Sequence, residues 1–173
     1  VTPCHSIAFD TTYEGTTLLV QQKENGYEFA IKTPCRAVRW EKYDKELAVV
    51  WKRIVRLALT RTDDSFLEPF LRAMYDMTFY WYNFMPLSRG TAAGGFVLMM
   101  ALLASVGLKI NQHIPKGMQT DWEAILCEFP KDFEDVMYGW MKDTFVPFDV
   151  DAVPPVAEAL PTTRDVIVAF NYC

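Results

Sequence analysis

The stretch FYWYNFMPLSRGTAAGGFVLMMALLASVGLK, Phe79 to Lys109, decides the fold class. It packs aromatic residues together, breaks at Met85-Pro86, carries one arginine, and then runs uncharged from Thr91 to Leu108. Those eighteen positions only just reach the length of a membrane-spanning helix. An aromatic belt ahead of the run also suits a bilayer interface, so a membrane-anchored subunit spanning 91–108 stands as an alternative. The content of the run argues for a buried helix instead. Thr91, Gly94, Gly95, Ser105 and Gly107 dilute its apolar side chains, small residues let neighbouring helices come close, and the flanks hold one arginine and one lysine rather than a cationic cluster. The expectation is a core helix from Arg89 to Val106, closed by Gly107, in which enlarging Ala101 or Ala104 overpacks the interior.

The rest of the chain supplies the setting. Its 173 residues suit one domain over 1–173, divided into a hairpin-containing part (1–40), a helical core (41–143) and a proline-rich segment (144–173). In TTLLVQQKENGYEFAIKT the apolar residues alternate on either side of Asn25-Gly26, which predicts a β-hairpin with a type I′ turn, lying against helices because two strands do not persist alone in water. Leu47, Val50, Trp51, Ile54, Val55 and Ala58 recur at helical spacing and predict an amphipathic helix from Tyr43 to Thr60. Ser65 with Glu68 has the spacing of a capping box for a second helix that Pro86 ends near Asn83. Thr120 with Glu123 repeats the spacing ahead of a short helix through Leu126; another runs from Pro130 to Lys142, and a last one from Thr163 to Phe170. The class is mainly α: a helical bundle around a central apolar helix, with an N-terminal β-hairpin.

Composition narrows the function. A net charge of -5 without a basic stripe argues against nucleic acid as a partner. The four cysteines are scattered, and a site from Cys4, His5 and Cys35 lacks the spacing of structural zinc motifs, so no metal and no cofactor are expected. Reduced thiols place the chain inside the cell, the cytoplasm ahead of an organelle. The chain begins at Val1 rather than methionine, as a processed or partial chain does. The acidic groups at Asp63 and Asp64, at Asp132, Glu134 and Asp135, and at Asp149 and Asp151 read as caps and wet faces, and His113 as a loop histidine. Aromatic residues make up 14%, more than one core of this size readily hides, so an exposed apolar surface for other protein subunits is expected. The hairpin's outer row, Leu19 and Gln21 with Glu28 and Ala30, together with Trp40, is the predicted partner interface. Ser88, Arg89, Gly90 and Thr91 form a second candidate, where one guanidinium and the free amides of a helix start suit an anion or a partner's carboxylate, unless Arg89 simply ties down the loop.

Two family resemblances follow from these residues. A long helix arriving at MPLSRGTAA and an apolar helix leaving toward Gly107 resemble the layout of the Fic nucleotidyl transferases, whose motif is H-P-F-x-D-G-N-G-R. Pro86 meets the proline, Leu87 the phenylalanine and Gly90 the first glycine. Met85 stands where the family has its histidine base, Arg89 at its acidic metal holder, and Thr91, Ala92 and Ala93 at its Asn-Gly-Arg phosphate clamp. On that resemblance the chain is a degenerate, pseudoenzyme copy, with a Fic-like transferase or its regulatory relative as the alternative function. The second resemblance covers more of the chain. FYWYNFMPLSRGTA (Phe79 to Ala92) is similar to the signature YYWYNFMPLSRGTA, and IPKGMQTDWEAIL (Ile114 to Leu126) to a further segment, of the C-terminal region of tetratricopeptide-repeat proteins that suppress effector-triggered immunity in plants, and of their animal relatives. It implies a non-enzymatic scaffold or protein–protein interaction module, a subunit or fragment of a larger assembly, although this chain carries no such repeat.

Overall fold

The computed structural model describes residues 1–61, 64–87 and 89–171. Two short strands, β1 (Pro3–Ser6) and β2 (Thr11–Glu14), pair antiparallel and lead into the hairpin of β3 (Thr17–Lys23) and β4 (Gly26–Lys32). The helices α1 (Ala37–Leu59), α2 (Leu67–Phe84), α3 (Thr91–Ser105), α4 (Thr120–Leu126) and α5 (Pro130–Met141) follow. A third small sheet joins β5 (Leu108–Ile110), after α3, to β6 (Phe145–Pro147), after α5, and α6 (Val156–Ala159) and α7 (Thr163–Asn171) end the chain. The protein is mainly α with an N-terminal hairpin, as the sequence predicts.

The helix at its centre is α2, not the run from Arg89 to Val106. From Phe70 to Tyr80 every α2 residue except Arg72 is buried, and α1, α3, α4 and α5 all pack on it. Such all-round burial explains the FYWYNF aromatics: Phe79, Tyr80 and Tyr82 fill the interior rather than a bilayer interface. By contrast α3 buries only Thr91, Gly95, Met99, Leu102 and Leu103, and Val97 on its far side is 65% exposed. Among the described residues no helix is long and apolar enough to cross a membrane.

Caps and turns differ in detail from expectation. α1 starts at Ala37, six residues before Tyr43, because Arg39, Tyr43 and Glu46 carry its buried line toward the N-terminus through polar side chains that an apolar pattern overlooks. The N-caps differ from those predicted: Phe66 caps α2 and Gln119 caps α4, neither through its side chain. Ser65 lies in a 3₁₀ turn ahead of α2 while Glu68 pairs with Arg72, and Thr120 turns its hydroxyl to Tyr82. At the hairpin tip Glu24 and Asn25 form the loop and Asn25 does not adopt a positive φ, so the turn is not type I′; the positive φ of +137° falls on Gly26, the first residue of β4.

α3 crosses α2 closely at Gly95. A Cβ there would stand 2.3 Å from the Tyr82 ring and 2.8 Å from Trp81. Tyr82 is fully buried and bonded to Thr120 at 3.1 Å, so it has no room to retreat. Ala101, by comparison, is exposed and Ala104 half-buried, so neither is the overpacking position. Replacing Gly95 with alanine adds about 1 kcal/mol of helix propensity but about 1–3 kcal/mol of overpacking. Thermal unfolding followed by circular dichroism is expected to show a lower midpoint for Gly95→Ala and an almost unchanged one for Ala101→Leu.

Candidate interaction surfaces

The elbow between α2 and α3 begins with a strained residue. Met85 caps α2 in the left-handed conformation, φ +48°, its amide donating to the Trp81 carbonyl at 3.0 Å. Its sulfur accepts hydrogen bonds from the hydroxyls of Thr33, at 3.2 Å, and Thr16, at 3.8 Å, which flank the base of the β3–β4 hairpin. Beyond Pro86 the loop is held by Thr91, whose hydroxyl donates to the Leu87 carbonyl at 3.2 Å and accepts from the Leu87 amide at 3.3 Å, and by the Trp81 indole, which donates to the Thr91 carbonyl at 2.9 Å. Arg89 therefore does not tie down the loop: it is exposed and has no hydrogen-bond or ion-pair partner among the described residues. Gly90 is exposed with φ +80°, and the first turn of α3 has neither a capping side chain nor an acid. Ser88 lies outside the described residues.

The hairpin is not packed along the helices, and its outer strand is uncovered. All seven residues of β4 are exposed, and the apolar row expected to be covered is open: Val20 is 58%, Tyr27 66% and Phe29 60% exposed. Phe29 sets its ring edge-on to Trp122 of α4 at 6.1 Å. Between hairpin and helix runs an open groove of about 600 Å³ lined by Leu18, Val20, Phe29, Trp122, Glu123 and Leu126. Sequence reasoning named the opposite row. There Leu19 faces Ala30 and Gln21 faces Glu28 across the ladder, with Leu19 half-buried and the other three exposed. The missed signal was Trp122, which with Leu126 faces the hairpin from the IPKGMQTDWEAIL segment. Trp40 is half-exposed and packs its ring edge-on to Phe84, at 5.7 Å, at the end of α2.

The buried charges are engaged in holding elements together. Arg39 of α1 donates to four main-chain carbonyls, Glu14 (2.9 Å), Gly15 (3.3 Å), Asn83 (2.6 Å) and Phe84 (2.8 Å), and lies 4.6 Å over the Tyr43 ring; burial lowers its pKa. Glu46, two turns on, accepts from the Ser6 hydroxyl, the Ala8 amide at 3.1 Å and the Tyr13 hydroxyl at 3.4 Å. Asp76 of α2 accepts from Arg53 of α1 at 2.8 Å through one oxygen, while its other oxygen is buried without a partner. Desolvation, then the charge of Glu134 on α5, raises the Asp76 pKa to about 7, and Glu134 itself accepts from Arg72 at 2.7 Å. Asp135 pairs with Lys131, and Asp149 accepts the Asp151 amide; Asp63 lies outside the described residues. His113 lines a shallow groove with Phe96 and Met100. Burial raises the Cys4 thiol to about 12, leaving it inert. Among the described residues no three histidine, cysteine or acidic side chains group as a metal site.

Two outcomes test this assignment. Arg39→Leu strands four carbonyls and is expected to cost about 3 kcal/mol or more, with Arg39→Lys in between because an ammonium cannot span all four. For Asp76 the folded pKa lies above the unfolded one, so the folded state holds a proton the unfolded state has released, and stability falls as pH rises from about 4 to about 7. The difference in unfolding free energy between wild type and Asp76→Asn should therefore move against wild type across that window and level off above it; a flat difference would show that Asp76 is ionised throughout.

The chain is similar to parts of two longer proteins. Suppressor of RPS4-RLD 1 from Arabidopsis thaliana is 41% identical over 134 residues, 74% of this chain and 13% of that protein. Tetratricopeptide repeat protein 13 from Homo sapiens is 24% identical over 133 residues, 75% of this chain and 16% of that protein. The chain thus spans less than a fifth of either relative. No family model and no solved structure matches it.

Proposed function

We propose that this chain, a homologue of part of a plant suppressor protein and part of a human tetratricopeptide-repeat protein, is a non-enzymatic interaction module whose docking surface is the open apolar row of the β3–β4 hairpin and its groove with α4. The observation that carries the reading is the exposure of Val20, Tyr27 and Phe29 on a regular seven-residue ladder. A contiguous apolar patch of this kind marks interaction sites. The names of both relatives describe proteins by suppression and by a repeat, not by a reaction. At the elbow, the thioether of Met85 cannot accept a proton near neutral pH, its sulfur is engaged by Thr33 and Thr16, and Arg89 carries the wrong charge to hold a metal ion.

Phe29→Asp and Val20→Asp should reduce the mass of the native assembly recovered from cells while leaving the unfolding midpoint within about 1 °C, since exposed positions contribute little to folding. Normal assembly by both variants would move the docking surface elsewhere. For the enzymatic alternative, labelled nucleotide with magnesium is expected to leave the protein and its associates unlabelled. Label transfer that is lost on altering the Ser88 to Thr91 loop would establish a transferase.

A further inference from the structure

The hairpin's free edge has a register in which it complements itself. β4 is an unprotected edge: seven residues, no proline, no bulge, every residue exposed, whereas Thr17, Leu18 and Leu19 at the start of β3 are half-buried. Such an edge is a template for another strand. If two β4 strands pair antiparallel about a two-fold axis normal to the sheet, the apolar rows of both hairpins stay on one face, and only pairings centred on a residue are allowed. Three centres lie near the middle of the strand. Centred on Glu28, the two carboxylates oppose each other and repel. Centred on Phe29, Lys32 faces Gly26 and no charge finds a partner. Centred on Ala30, Glu28 of each copy faces Lys32 of the other, Phe29 faces Ile31, and the small Ala30 faces itself on the axis. Within its own hairpin Glu28 already pairs with Lys23 at 3.0 Å, while Lys32 has no ion-pair partner among the described residues. The second copy supplies that partner.

From this charge pattern we infer that the occupant of the β4 edge is a second copy of this chain. The product is a symmetric dimer with a continuous four-stranded antiparallel sheet, in which Glu28 and Lys32 fix the register. The inference rests on the hairpin being the docking surface and adds the identity of what docks. Paired strands would also set Phe29 of each copy beside Ile31 of the other, joining the two apolar rows on one face.

The test uses the 173-residue chain with Cys35 and Cys173 replaced by serine. Directly opposed residues in an antiparallel ladder stand about 4.5–5.5 Å apart at Cα, within disulfide reach. Ala30→Cys is expected to form a covalent dimer under mild oxidation, and Gln21→Cys, equally exposed on β3, is not. By sedimentation, Lys32→Glu should weaken the dimer about tenfold, because two cross-strand attractions become repulsions. The double variant Glu28→Lys with Lys32→Glu should restore it. A monomeric Ala30→Cys chain overturns the inference, as does charge reversal without effect. If those results come with loss of native assembly in Phe29→Asp, the hairpin docks a different protein and only the dimer fails. If Phe29→Asp also assembles normally, the docking surface itself is misplaced.

Discussion

The guanidinium of Arg39 is the constraint on which the arrangement depends. The last carbonyls of any helix lack partners inside it, and here those of Asn83 and Phe84 lie at the buried end of the central helix, next to a left-handed residue and a proline that prevent continuation. Arg39 supplies donors to both, and to Glu14 and Gly15 at the end of β2, so that α1, the end of α2 and the N-terminal strands meet on one side chain. Among the described residues no carboxylate pairs with it. Four carbonyl dipoles and the faces of Tyr43 and Phe84, which are themselves stacked at 5.2 Å, take that role. A positive charge at the C-terminal end of α2 also has the favourable sign against the helix dipole.

Glu46 repeats this logic two turns along α1 with the opposite charge. It gathers the donors of the β1–β2 connection, Ser6, Ala8 and Tyr13, while the Tyr80 hydroxyl accepts from the Ile7 amide and donates to the His5 carbonyl. The N-terminal strands thus have little apolar core of their own beyond Cys4 and Tyr13, and hydrogen bonds to buried polar groups hold them in place. Such networks specify geometry more than they add stability, and the segment they hold leads directly into the hairpin.

This explains which parts of the fold were legible in the sequence. The helices were, because proline, glycine and apolar spacing mark them: α4 begins and ends where the pattern does, and α5 and α7 end within one residue of it. Strands β1, β2, β5 and β6 were not, because three- and four-residue strands display no alternation to read. The extent of α1 was hidden by Arg39 and Glu46, which count as polar in any pattern yet are buried, whereas Trp51 counts as apolar and is half-exposed. The role of α3 was misjudged for a related reason. A helix apolar on all sides is ordinarily buried on all sides, but α2, with its aromatic side chains, occupies the centre, and the small residues of α3 serve the tight crossing at Gly95. What holds the elbow, the Thr91 hydroxyl and the Trp81 indole, could be seen only in three dimensions, and so could the openness of the hairpin row.

Met85 joins the two candidate surfaces. A left-handed residue other than glycine costs about 1–2 kcal/mol, and methionine, unlike asparagine, has no short polar group to offset it locally. The backbone can hold this conformation only if other contacts require it, and the contacts are at hand: Trp81 accepts the amide, Pro86 follows, and the sulfur meets the paired hydroxyls of Thr16 and Thr33, themselves 3.1 Å apart. Those threonines bracket β3 and β4. The strained elbow therefore fastens the base of the hairpin to the end of the central helix, a few residues from the Arg39 clamp. A hairpin fastened at its base, and touching α4 farther out through Phe29 on Trp122, projects its ladder with a defined direction while leaving the β4 edge exposed, which is the geometry the proposed docking relies on.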